Sequence, residues 1–80
     1  MIKYHKQPRK FILSQGESNA LRLYNAIEQL PRGDVKRLQG YTKPSLYRLR
    51  VGSYRIVYHT ELGIITILHI DTRGDVYKKI

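Results

Sequence analysis

Three arginines, Arg48, Arg50 and Arg55, lie within the stretch Leu46–Tyr58, LYRLRVGSYRIVY, on either side of a Gly52-Ser53 pair. Arginine stays protonated in proteins. It can clamp phosphate oxygens and stabilise a pentacoordinate phosphorane, but it cannot act as a general base. Arg73 and Tyr77 follow in HIDTRGDVYKK. Tyrosine can stack on a base, or serve as acid or base where cations lower its pKa. The chain has seven tyrosines, and most suit ordinary sheet positions. Tyr77 stands out because it follows a Thr72-Arg73 loop and should fall near the edge of the hairpin. The available chemistry is that of anions.

The elements that must position these groups are legible in the same stretch. Strict alternation on each side of Gly52-Ser53 predicts two strands joined by a two-residue II′ turn. The turn sets the register. Val51 then faces Tyr54, Leu49 faces Ile56, and Tyr47 faces Tyr58, all on one apolar face. Arg48, Arg50, Arg55 and Val57 take the other face, with Arg50 directly opposite Arg55. Like charges so placed destabilise a sheet. Two readings account for keeping them: a polyanion that binds there, or a solvated face whose cations serve solubility.

Composition bounds both readings. Eighty residues with 41% hydrophobic content suit one small domain spanning residues 1–80. Fifteen Lys+Arg against six Asp+Glu give a net charge of +9. Such a charge is a nucleic-acid footprint in general terms, although an acidic protein also fits it. No apolar run approaches the roughly 18–20 residues of a membrane span, and no basic amphipathic helix suggests a membrane surface. The basic start MIKYHKQPRK has no apolar signal-peptide region. The absence of cysteine excludes a disulfide framework and fits a reducing, cytoplasmic setting.

Before the hairpin, Met1–His5 alternates loosely as a short strand. A short helix is expected over Pro8–Gln15, stopped at Gly16. A better one spans Glu17–Leu30, where Ala20, Leu23, Tyr24, Ile27 and Leu30 form one face suited to packing on a sheet. Gly33–Ser45 reads as a connector, with a turn or minimal strand at Val35–Leu38. Its Lys36 and Arg37 could track a phosphate backbone or simply keep a loop soluble. After a turn at Thr60–Gly63, Ile64–Ile70 is apolar on both faces, as a central strand would be. Its register is open: a two-residue and a three-residue loop put His69 on opposite faces. Asp71–Asp75 reads as a loop, and Val76-Tyr77 as the start of a last short strand. Helices gathered before a run of antiparallel strands give an α+β fold, with two N-terminal helices on one side of a sheet of four to five strands.

The common catalytic signatures are missing. The chain has no P-loop, no dinucleotide fingerprint and no HExxH. Three scattered histidines without cysteine offer no zinc set, so neither a metal nor another cofactor is expected.

The hairpin LYRLRVGSYRIVY, the following apolar strand, HIDTRGDVYKK and the upstream GDVKRLQGY together resemble the RelE/ParE superfamily of bacterial toxins. The likeness runs from the first strand through Tyr77. It implies a small sheet carrying two N-terminal helices. In the RelE branch it implies cleavage of mRNA in the decoding site of the small ribosomal subunit, and the lack of a credible ligand set makes that cleavage metal-independent. Arg55, Arg73 and Tyr77 match the family's catalytic positions. Arg48 and Arg50 match its basic hairpin positions, and Lys36 and Arg37 would extend the RNA contact. The implied partners are mRNA, ribosomal RNA and an acidic antitoxin. Many members carry Gly-His just before the loop arginine, where this chain has Asp71 and Thr72. The ParE branch shares the fold but poisons DNA gyrase, and an inactive binding module is a third alternative.

Overall fold

The computed structural model describes residues 1–42 and 45–72, with the backbone alone for residues 39–42. The order is β1 (Ile2–Tyr4), α1 (Lys6–Ser14), α2 (Glu17–Glu28), β2 (Asp34–Thr42), β3 (Ser45–Val51), β4 (Tyr54–Glu61) and β5 (Ile64–Thr72). The strands form one sheet in the order β1-β5-β4-β3-β2. All neighbours are antiparallel except β1, which runs parallel to β5. The fold is α+β, as the sequence implied.

Both helices lie on the same side of the sheet. Ile12 of α1 and Leu23 and Ile27 of α2 are fully buried against Leu49, Ile56, Tyr58, Ile67 and Ile70. Tyr54 joins this core and donates its hydroxyl proton to Gln15 Oε1 at 3.0 Å, so its polar tip is satisfied. Tyr47 and Tyr58 stack across β3 and β4 with ring centroids 5.4 Å apart. Burial first, and then Tyr47, push the Tyr58 hydroxyl pKa above its ordinary value.

The helices depart from expectation at their ends. α1 begins at Lys6, two residues before Pro8, because extended His5 caps it. Pro8 occupies the third helical position, where its missing N–H is still one of the unpaired donors of a first turn. Gly16, at φ 87°, stops α1 and starts α2, a conformation that favours glycine. α2 ends at Glu28 and not Leu30. Leu30 precedes Pro31, whose ring disfavours helical backbone at the residue before it. The chain instead tightens into turns, with Leu30 N–H donating to Ile27 O at 3.0 Å and Arg32 N–H to Gln29 O at 2.8 Å.

The largest correction concerns Gly33–Ser45. This stretch is not a connector, since Asp34–Thr42 forms the edge strand β2 along β3. An edge strand needs few apolar anchors. Val35, opposite Leu49, packs on the core, while Asp34, Lys36 and Arg37 are the charged residues expected to protect an edge. Asp71 and Thr72 also belong to a strand, β5, and not to a loop. The suggested last strand at Val76-Tyr77 lies outside the described residues.

The β3–β4 pairing has the expected register, with Val51 opposite Tyr54, Leu49 opposite Ile56 and Tyr47 opposite Tyr58. Gly52, at φ 60°, supplies the positive φ of the II′ turn, and a Cβ there would lie 2.5 Å from Arg22 Nη2. The β4–β5 turn is also of two residues, Leu62 (φ 51°) and Gly63 (φ 78°), with Glu61 opposite Ile64. Both central residues have positive φ, which is the I′ pattern. That register holds as far as Tyr58 opposite Ile67. It then slips by one, so that Val57 faces His69 across a bulge that accommodates Leu68.

Candidate nucleic-acid interface

The register places charged side chains in two rows on the sheet face away from the helices. One row reads Asp34, Arg50, Arg55, Asp71 across β2, β3, β4 and β5. The next reads Lys36, Arg48, Val57, His69. Arg48, Arg50 and Arg55 therefore do share one face, and Lys36 stands directly beside Arg48. Arg37 does not join them. It lies opposite Tyr47, on the helix-side face of the sheet, where its Nη2 donates to Ser45 Oγ at 3.2 Å. Arg73 and Tyr77 lie outside the described residues.

Two carboxylates complete the row, Asp34 beside Arg50 and Asp71 beside Arg55. Asp34 sits 3.7 Å from Arg48 Nη2 and 3.9 Å from Arg50 Nε. Asp34 is itself well exposed, and such long, wet ion pairs contribute at most about 1 kcal/mol. It is a counterion that a phosphate could displace. On the other side Asp71 is the direct cross-strand partner of Arg55. Arg55 Nε and Asp71 Oδ1 are both buried without a hydrogen-bond partner among the described residues.

Asp71 also accepts a hydrogen bond from His69 Nε2–H at 2.9 Å. His69 is half exposed, at 50% for its side chain, while Asp71 is at 24%. The pair stands on the arginine face only because of the bulge. Uninterrupted pairing from the Leu62-Gly63 turn would have set Leu68, and not His69, opposite Val57. The backbone between the two residues is held from the strand's other edge. Beyond the end of β1, the Gln7 side-chain amide takes over its role: Nε2 donates to Ile70 O at 2.8 Å and Oε1 accepts from Ile70 N–H at 3.0 Å.

Sequence reasoning missed Asp34, His69 and Asp71 as members of this face. Asp34 was hidden because β2 went unrecognised, and the other two because no residue in β5 announces the bulge. Among the described residues no group of three His, Asp or Glu side chains could hold a metal, and no helix is long and apolar enough to cross a membrane.

A family model described as the ParE toxin of the type II toxin-antitoxin system, parDE, matches residues 4–77. Among solved structures, the chain is similar to one from the archaeal RelE-RelB complex of Pyrococcus horikoshii, at 32% identity and a TM-score of 0.72, covering 91% of this chain and 93% of that one. It also shares its fold with a chain of the RelB-RelE antitoxin-toxin complex of Methanococcus jannaschii, at 22% identity and a TM-score of 0.72, covering 98% of each. Among curated proteins none matches. From the match over residues 4–77 and the shared architecture, the chain belongs to the RelE/ParE superfamily of type II toxins.

Proposed function

We propose that this toxin is a ribosome-dependent endoribonuclease that cleaves mRNA in the decoding site and arrests translation in the cytoplasm. The observation that carries this reading is the gathering of Arg48, Arg50 and Arg55, with Lys36, on the sheet face the helices leave uncovered. Nothing in the folding of the sheet calls for Arg50 opposite Arg55, whereas a phosphodiester does. The RelE chain at 32% identity supports the RelE side of the superfamily.

In this reading the RNA 2′-hydroxyl attacks the adjacent phosphate and leaves a 2′,3′-cyclic phosphate and a 5′-hydroxyl. Arg55 and Arg73 stabilise charge on the phosphorane. Arg48, Arg50 and Lys36 hold the RNA backbone, and Tyr77 orients the reacting nucleotide or protonates the leaving oxygen. Arg37, on the other face, contacts RNA only from the sheet edge. The chemistry uses no metal, so cleavage survives EDTA when ribosomes are kept intact by other means. An antitoxin with an acidic, partly disordered segment is the natural inhibitor of a +9 chain, and its affinity falls as salt screens the pairing.

The ParE family match, and Thr72 where many members have histidine, favour a second reading as a gyrase poison. Brief induction in cells, with primer extension on an abundant mRNA beside an assay for DNA breaks, separates the two. Codon-phased mRNA 5′ ends within minutes, on translated messages only, are the result expected. A DNA-damage response with intact mRNA would replace the ribonuclease reading with the gyrase one.

A further inference from the structure

A metal-free transesterification needs a group that removes the 2′-hydroxyl proton, and the arginines of this face cannot do it. We propose that His69, oriented by Asp71, is the general base of the RNA cleavage reaction, an inference that rests on the ribonuclease reading above.

Three observations place it there. The first is position: the Val57/Tyr58 bulge brings His69 onto the arginine face, beside Arg48 across Val57, while its partner Asp71 stands directly opposite Arg55. The second is tautomer. His69 Nε2–H donates to Asp71 Oδ2 at 2.9 Å, so the neutral ring carries its lone pair on Nδ1, which bonds to no described residue. The third is rigidity. The Gln7 amide clamps both backbone groups of Ile70, the residue between the two, and Asp71 is three-quarters covered while His69 remains half exposed. An imidazole held from behind by a carboxylate and open at its other nitrogen is the arrangement that general-base catalysis requires.

The step balances without water or a co-reactant. The 2′-oxygen forms a bond to phosphorus as its proton passes to His69 Nδ1, and the bond from phosphorus to the 5′-oxygen breaks. The 5′-oxygen takes a proton from Tyr77, and imidazolium and tyrosinate reset by exchange with solvent. The charged and titratable groups facing His69 are Asp71 on its own strand, Arg55 and His59 from β4, Arg48 and Arg50 from β3, Lys36 and Asp34 from β2, and Lys3 from β1. Asp71 is therefore a positioning residue whose carboxylate offsets the cations around an imidazole that must gain a proton.

The test is single-turnover cleavage of mRNA on programmed ribosomes by the full chain, with far-UV circular dichroism confirming that each variant is folded. His69→Ala should lower the rate by about 10²–10⁴-fold, the usual contribution of a positioned base. Added imidazole should restore part of that rate, and Asp71→Asn should lose less. The wild-type pH–rate profile should carry a limb that the His69→Gln profile lacks. Cleavage by His69→Ala at the wild-type rate, or a loss that imidazole does not relieve with the pH–rate profile unchanged in His69→Gln, overturns the proposal and leaves the ribonuclease reading standing. A wild-type chain that leaves mRNA whole removes both.

Discussion

The two faces of the sheet are built from the same strands by the same alternation, yet they answer to different demands. On the helix side, Leu49 meets Ile56 and Tyr47 meets Tyr58, each pair covered by Ile12, Leu23 or Ile27 and their neighbours. On the far side Arg50 meets Arg55, with Asp34 and Asp71 at the ends of the row. One face holds the fold together. The other carries a repulsion that the fold does not need, with a carboxylate at each end of the row. On the proposed reading, stability and activity are separable by face.

The largest effect should come from the covered side. Ile56 is fully buried, and Ile56→Ala should cost about 2–5 kcal/mol, a large part of what so small a domain has. Urea unfolding measures it. Its neighbour on the opposite face should behave in reverse: Arg55→Ala should leave the unfolding midpoint nearly unchanged while cutting mRNA cleavage by about 10²–10³-fold, as loss of an oxyanion donor does. Equal loss of stability in the two variants would break the comparison.

Asp34→Asn sharpens it. Removing the counterion frees Arg48 and Arg50, so RNA binding should tighten and its log–log salt dependence should steepen by up to about one unit. Binding titrations at several salt concentrations test this, and an unchanged slope would mean that the two arginines do not meet phosphate. Stability should move by no more than about 0.5 kcal/mol.

Two smaller effects concern the frame. Leu62 holds φ 51° in a I′ turn while the residue is 94% exposed, so Leu62→Asn should stabilise by up to about 1 kcal/mol in thermal or urea unfolding. Burial, followed by Glu28 and Tyr24, pushes the Tyr4 hydroxyl pKa up to about 12. The unfolded chain releases that proton near pH 10, so folding is unaffected below that and loses stability as pH rises toward 12. Tyr4 Oη is buried without a hydrogen-bond partner among the described residues. Tyr4→Phe should therefore change stability at neutral pH by no more than about 1 kcal/mol and should flatten the alkaline loss.

How much of this was legible in the sequence depended on whether a local signal set the register. Gly52-Ser53 did so for β3 and β4, and every cross-strand pair read from it is present, including Arg50 opposite Arg55. The helix stripe Leu23, Tyr24 and Ile27 was equally plain. β2 was not, because an edge strand with one clear apolar anchor, Val35, looks like a polar connector; with it went Asp34 and the facing of Lys36 and Arg37. β5 announced itself as central, but the slip at Val57/Tyr58 has no marker such as glycine in IITILHI. One residue of slip decides whether His69 faces the core or the arginines. Arg73 and Tyr77 rest on the family resemblance and lie outside the described residues.

The proposed role of the arginine face is to act on RNA. Purified wild-type and Arg55→Ala chains on ribosomes programmed with a defined mRNA test it most directly, with the new ends mapped and their chemistry read. Cleavage is expected from the wild-type chain alone, within the codon in the decoding site, leaving a 2′,3′-cyclic phosphate and a 5′-hydroxyl. Intact mRNA under both proteins, or equal cleavage by both, would contradict it.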